Sequence, residues 1–100
     1  MRLIAWKNLR EYAATHPQTV VPLERWAERI YVGEWSSMAA IVAAFPKSKT
    51  VSGERIRFDI GGEDFRLIVA FNIKRQIAFV KFIGVHAEYD RVDAASVEMF

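Results

Sequence analysis

Residues 55–71, RIRFDIGGEDFRLIVAF, alternate apolar and polar side chains on both sides of a glycine pair. A period of two marks a strand with one buried face, and Gly-Gly supplies the positive φ angles that tight hairpin turns demand. The stretch predicts an antiparallel hairpin in which parity decides the face of each side chain. With Gly61-Gly62 as a two-residue turn, Phe58 lies opposite Phe65 and Ile56 opposite Leu67, an apolar face that must be covered. The other face then carries Arg57 opposite Arg66 and Asp59 opposite Asp64, with Arg55 two residues from Arg57. Like charges directly across a ladder are unfavourable unless something neutralises them. A four-residue turn keeps the same faces but pairs Arg66 with Asp59, which favours salt bridges instead.

The alternation continues, giving strands over Glu54–Ile60, Phe65–Asn72 and Gln76–Ile83 joined by short loops, an antiparallel meander. A two-residue turn at Ile73-Lys74 brings Lys81 opposite Arg66, whereas a three-residue turn points it into the core. Unpaired lysines are rarely buried, so the first arrangement is preferred. Arg57, Arg66 and Lys81 then form a cationic row across three strands beside Ile68, Ile77 and Phe79, and an RNA phosphate would satisfy it. The competing reading is that Asp59 and Asp64 pair diagonally with these arginines on a solvated face that binds nothing.

Upstream the period is helical. Arg2 to Ile4 reads as a short strand suited to a sheet edge, followed by a helix from Trp6 to Thr15 that His16-Pro17 stops. A second helix spans Val20 to Val32, with Thr19 as its cap and Gly33 at its end. Ser36 or Ser37 caps a short third helix through Phe45, closed by Pro46, and Lys47 to Gly53 reads as a polar connection. Trp6, Trp26 and Trp35 fall on or beside apolar helix faces and are assigned to the core, and His16 to a structural role. Beyond Gly84, Asp93 is placed to cap a last helical turn. The expected class is α+β: N-terminal helices packed on one face of a small antiparallel sheet, with a short C-terminal helical segment, residues 1–100 forming one domain.

Charge gives limited guidance. The chain carries 14 Lys and Arg against 12 Asp and Glu, a net charge of only +2, so any polyanion must be held by local clustering. Cysteine is absent, which removes disulfides and thiolate metal ligands. The longest apolar run, Met38 to Phe45, is too short to cross a bilayer, and no membrane association is expected. These features suit a cytoplasmic location.

The segment VHAEYD follows the third strand, where a loop can lean over the helix-free face. His86, Glu88 and Tyr89 bring proton-transfer and hydrogen-bonding groups there, and imidazole is the side chain that ordinarily titrates near neutrality. His86, Glu88 and Asp90 also suggest a metal set, but one histidine and two carboxylates at alternate positions is a nonspecific pattern.

The pieces MRLIAWKNLREYAATHP, PLERWAERIYVGEW, RIRFDIGGEDFRLIV and FIGVHAEYD, in that order, make the chain resemble the HigB-type toxins of bacterial toxin-antitoxin systems, within the wider RelE/ParE-like group. The resemblance implies a RelE-like fold and a metal-independent endoribonuclease, an mRNA interferase without cofactor that cuts messenger RNA on the ribosome. It also implies inhibition by a helix-turn-helix, HigA-like antitoxin, in a complex that can be of higher order. Arg66 and Lys81 then fall in the cationic part of the site, flanked by His86, Glu88 and Tyr89, with Arg55 and Arg57 holding adjacent phosphates. In that reading Glu88 orients His86. The sequence departs from the family pattern at Asp59 and Glu63, where Asn is usual, and at Val85, where Thr is usual. Two other readings remain: a non-catalytic toxin whose arginines meet an acidic protein such as DNA gyrase, and an interaction domain that has lost catalysis.

Overall fold

The computed structural model describes residues 1–100. In chain order the elements are β1 (Arg2–Ile4), α1 (Trp6–Thr15), a 3-10 turn at Pro17–Thr19, α2 (Val20–Val32), α3 (Met38–Ala44), β2 (Ser48–Thr50), β3 (Arg55–Ile60), β4 (Phe65–Asn72), β5 (Ile77–Val85) and α4 (His86–Tyr89). The class is α+β as expected. Helix ends follow local chemistry: Ser37 Oγ accepts from the Ala40 amide at 3.0 Å and starts α3. Thr19 does not cap α2 through its side chain; its buried hydroxyl donates to the His16 carbonyl at 2.7 Å and so ties the two helices' junction.

The sheet order is β1-β5-β4-β3-β2, with β1 parallel to β5 and the other pairs antiparallel. Strand β2 lies within the segment read above as a connection. Three residues, Ser-Lys-Thr, are too few and too polar to show a period. The parity of β3 and β4 is as the alternation predicts, since Ile56, Phe58, Ile60, Phe65, Leu67, Val69 and Phe71 all enter the helix-side core with Leu9, Leu23, Trp26, Ile30 and Ile41. At its centre Phe58, 1% exposed, meets the rings of Trp26, Phe45 and Phe71 at centroid distances of 5.4, 5.2 and 6.1 Å.

Registers differ from the preferred ones in two places. The β3–β4 loop has four residues, so Ile60 pairs with Phe65, Asp59 with Arg66 and Arg57 with Ile68. Gly61 and Gly62 still adopt φ of 64° and 74°, which explains the glycines without requiring a two-residue turn. The preferred Arg57–Arg66 pairing is thereby replaced by the Asp59–Arg66 alternative. Between β4 and β5 the connection is Ile73–Gln76, and the ladder shifts from Val69–Val80 to Ile68–Phe82. Lys81 is the extra residue of this bulge, so Gly84 and not Lys81 faces Arg66. The bulge also moves Ile83 into the core and turns Phe82 to the opposite face.

That opposite face is not bare. Ile68, Ala70 and Phe82 are buried there, outside the helix-side core, and the segment Asp93–Phe100 lies against part of it. Gly84 is the tight point: a Cβ built on it would come within 2.7 Å of the Phe82 ring and 3.0 Å of a Glu88 carboxylate oxygen. Gly84→Ala is therefore expected to destabilise the fold by about 1–3 kcal/mol, the usual range for overpacking, and to shift α4, read by thermal melting and by the Tyr89 ring resonances.

Candidate functional site

Parity places Arg55, Arg57, Arg66 and Lys81 on the side of the sheet away from the helices, but in two groups and not in one row. The first centres on Arg66. Its Nε donates to His86 Nε2 at 3.2 Å and lies 3.7 Å from Asp59 Oδ1, while its guanidinium carbon stands 4.7 Å over the Tyr89 ring. Nitrogen Nε2 is therefore an acceptor, which puts the imidazole in its neutral form with the proton on Nδ1. Arg57 approaches the same Asp59 oxygen through Nε at 3.6 Å. Both separations exceed a hydrogen bond, so one carboxylate is shared electrostatically between two guanidiniums and saturates neither. Neither arginine's terminal Nη groups have a protein acceptor. Asp59 Oδ1 and Arg57 Nε are both buried without a hydrogen-bond partner, so the fold leaves polar capacity unfilled at this point.

Strand β2 adds a cation that the sequence did not reveal. Lys49 pairs across the ladder with Arg57, exposed and without an acidic partner. The like-charge cross-strand pair on this face is thus Lys49–Arg57. No pattern in Lys47 to Gly53 signals it; only the pairing of β2 does.

Short helix α4 supplies His86 and Tyr89. Glu88 Oε1 accepts from the Val85 amide at 3.1 Å, closing the helix start from one side only, because Val85 has no side-chain acceptor to return the bond. Glu88 thus fixes α4, and with it the positions of His86 and Tyr89, without bonding His86. The Tyr89 ring meets Phe82 edge-on at 6.2 Å, which anchors it beneath Arg66. From the helix side, Tyr12 stacks on His16 at 3.9 Å; burial first, and the Glu88 charge second, push its phenol above the ordinary value. His16 thus has aromatic company, in keeping with a structural role. No three His, Asp or Glu side chains converge, so His86, Glu88 and Asp90 do not assemble as a ligand set.

The second group is Arg55, Lys81 and Glu98. Glu98 reaches Arg55 Nη2 through Oε1 and Lys81 Nζ through Oε2, each at 2.8 Å. Arg55 Nη1 also donates to the carbonyls of Val97 at 2.7 Å and Ala94 at 3.3 Å, and the Met99 amide donates to the Lys81 carbonyl at 2.9 Å. The Arg55 side chain is only 5% exposed beneath this segment, whereas Glu98 remains 56% exposed. Asp93 starts the segment by accepting from the Ala95 amide and the Ser96 hydroxyl, the turn expected of it.

Glu98 is held below the ordinary glutamate value of 4.5 chiefly by the hydrogen bond from Lys81, then by the charges of Lys81 and Arg55, with desolvation opposing. A depressed carboxylate contributes stability that is complete above its unfolded value and lost as pH falls through the folded one. The tail segment is therefore expected to loosen on acidification below pH 4.5. Hydrogen exchange at the Met99 amide measures this, and Glu98→Gln should reproduce the loosened state at neutral pH.

Helices on one side of a small sheet, with guanidiniums, an ammonium and an imidazole gathered on the other, define an α+β protein built to present positive charge from a rigid scaffold. The matching family model, over residues 19–92, is that of the HigB toxin, the RelE-like toxic component of a toxin-antitoxin system, and the chain belongs to this family. A cognate antitoxin is thereby implied. The chain is 25% identical over 92 residues to the mRNA interferase toxin HigB of Escherichia coli strain K12, covering 90% of this chain and 88% of that one. The mRNA interferases HigB of Escherichia coli O157:H7 and Shigella flexneri match to the same extent. No helix is long and apolar enough to cross a membrane.

Proposed function

We propose that this toxin is an endoribonuclease that cuts messenger RNA on translating ribosomes, with the ribose 2′-hydroxyl as nucleophile and no metal in the chemical step. The carrying observation is the Arg66–His86 pair beside Arg57, because it brings together the two things such a reaction needs: fixed positive charge and a neutral imidazole. The nucleophile belongs to the RNA, so the protein has to align the strand, stabilise charge developing on the phosphate and move two protons.

In the unbound site Arg66 spends its Nε on His86 and keeps its terminal nitrogens for an anion. A phosphate drawing the guanidinium toward itself frees His86 Nε2 to take the 2′-hydroxyl proton. The Tyr89 ring limits how far Arg66 swings, and its hydroxyl is left to orient the RNA. Arg57 and Lys49 hold flanking phosphates through charge-assisted hydrogen bonds. Glu88 acts at one remove, by holding α4. Arg55 and Lys81 enter the RNA site only if Glu98 gives way, so the cations first met by RNA are Lys49, Arg57 and Arg66. The inhibiting partner is a helix-turn-helix, HigA-like antitoxin.

A ribosome-bound message carrying one 2′-deoxyribose at the cut position tests the nucleophile. It should bind as tightly as the all-ribose message and remain uncut there. Cleavage at an unchanged rate rejects the mechanism.

A further inference from the structure

A second concentration of positive charge lies around the outer edge of the sheet, in a pocket of about 410 Å³ between α2, the start of β2 and the β3–β4 hairpin. Arg25, Arg29 and Lys47 line it, and none of the three forms a salt bridge. Arg25 and Arg29 stand four apart on one helix face, a like-charge spacing that costs stability when nothing offsets it. Arg29 is already oriented: Nη2 donates to the Ala44 carbonyl at 2.6 Å and its guanidinium lies 4.2 Å from the centre of the Phe45 ring. Trp26 also lines the pocket, and its buried indole N–H has no acceptor. The opposite wall is Gly61-Gly62, where the missing side chains leave room for a ligand to approach the backbone.

This pocket adjoins the Arg66 site through one residue. The Asp59 amide donates to the Lys47 carbonyl at 2.9 Å, and the Asp59 carboxylate is the one shared by Arg57 and Arg66. Asp59 also lines the pocket, so two groups of cations, Arg57 with Arg66 and Arg25 with Arg29 and Lys47, flank a single carboxylate at this edge of the sheet. We infer that the pocket is a phosphate-binding subsite for a nucleotide flanking the cleaved one, so that the RNA bends over this edge of the sheet. The inference rests on the RNA-cleaving reading and adds where the strand goes beyond the reacting phosphate.

The test compares wild type with the Arg25→Gln/Lys47→Gln double variant, both residues being exposed and outside the Arg66 site. The probe is a fluorescein-labelled single-stranded RNA with 2′-deoxy sugars at its cut sites, titrated at several salt concentrations. For a single strand, the slope of log K against log salt falls by about 0.7 for every phosphate that is no longer neutralised, so the variant should show a slope shallower by about 1.4. Its affinity should fall about tenfold at moderate salt, with an unchanged melting temperature. An unchanged slope and affinity, with a wild type that binds and cuts RNA, overturns the subsite and leaves the nuclease reading intact. Loss of antitoxin binding with an unchanged RNA slope assigns the pocket to a protein and overturns it as well. A wild type that neither binds nor cuts RNA, free or on ribosomes, removes the nuclease reading first.

Discussion

Arg66→Ala is expected to reduce RNA cleavage by about 100- to 1000-fold, the range seen when one fixed donor to a developing oxyanion is removed. The expectation follows from position. Arg66 is the residue that touches Asp59, His86 and Tyr89 together, while its Nη donors remain unspent within the protein. Its partners are side chains on the helix-free face, so the helix-side core should be unaffected and the melting temperature should change little. Arg66→Lys separates charge from geometry. Lysine retains a cation but has neither the donor placed at His86 Nε2 nor the planar fork that binds phosphate in two places, so activity should recover only in part. Full activity in Arg66→Ala, measured on ribosomes at saturating message, would remove this residue from the site.

The largest expected loss of stability comes from Phe58→Ala. The ring is enclosed by Trp26 of α2, Phe45 just beyond α3 and Phe71 of β4, so its removal opens a cavity where three elements meet. Truncating a buried phenylalanine typically costs about 3–5 kcal/mol, against a total of about 5–15 kcal/mol for a domain. Chemical denaturation should show a large drop in the midpoint. A change below about 1 kcal/mol would mean that the aromatic cluster repacks freely, which is hard to reconcile with the burial of all its rings and their edge-to-face geometry. Because Phe58 lies between Arg57 and Asp59 on the strand, a folded remnant should also bind RNA less well.

How the sequence discloses such a site is uneven, and the reason is physical. Parity is robust: Ile56, Phe58 and Ile60 point one way and Arg55, Arg57 and Asp59 the other whatever the length of the turn, provided it stays even. Register is not, since Gly61-Gly62 followed by Glu63-Asp64 suits a two-residue and a four-residue loop equally, and only packing across the finished sheet selects Asp59 as the partner of Arg66. The bulge at Lys81 has no local signature, because AFVKFIGV is apolar on both sides and hides the change of phase. Sequence reasoning thus puts Lys81 on the correct face but beside the wrong neighbour. Lys49 and Glu98 stay hidden for a different reason. Each matters through its meeting with a residue on another strand, Arg57 in one case and Lys81 and Arg55 in the other. His86 and Tyr89 are legible as chemistry, whereas the bond from Arg66 that gives the imidazole its neutral form is not. Glu88, expected beside His86, is found on the Val85 amide.

The two groups on the helix-free face also suggest a division of labour. Arg55 and Lys81 are both bonded to Glu98 and hold the final segment in place. Arg57 and Arg66 share one carboxylate, Lys49 beside them has none, and this group retains the larger positive excess. The second arrangement is the one whose guanidinium ends have no protein acceptor and so remain for a ligand.

The most direct measurement is to map the chemical ends of transcripts during brief expression without the antitoxin, for wild type and Arg66→Ala side by side. Attack by the 2′-hydroxyl leaves a 2′,3′-cyclic phosphate on the upstream fragment and a 5′-hydroxyl on the downstream one. Wild type should produce new ends of this kind within translated messages, and Arg66→Ala should produce almost none. Growth arrest with no new transcript ends, or the same ends at the same level in both proteins, would contradict the account.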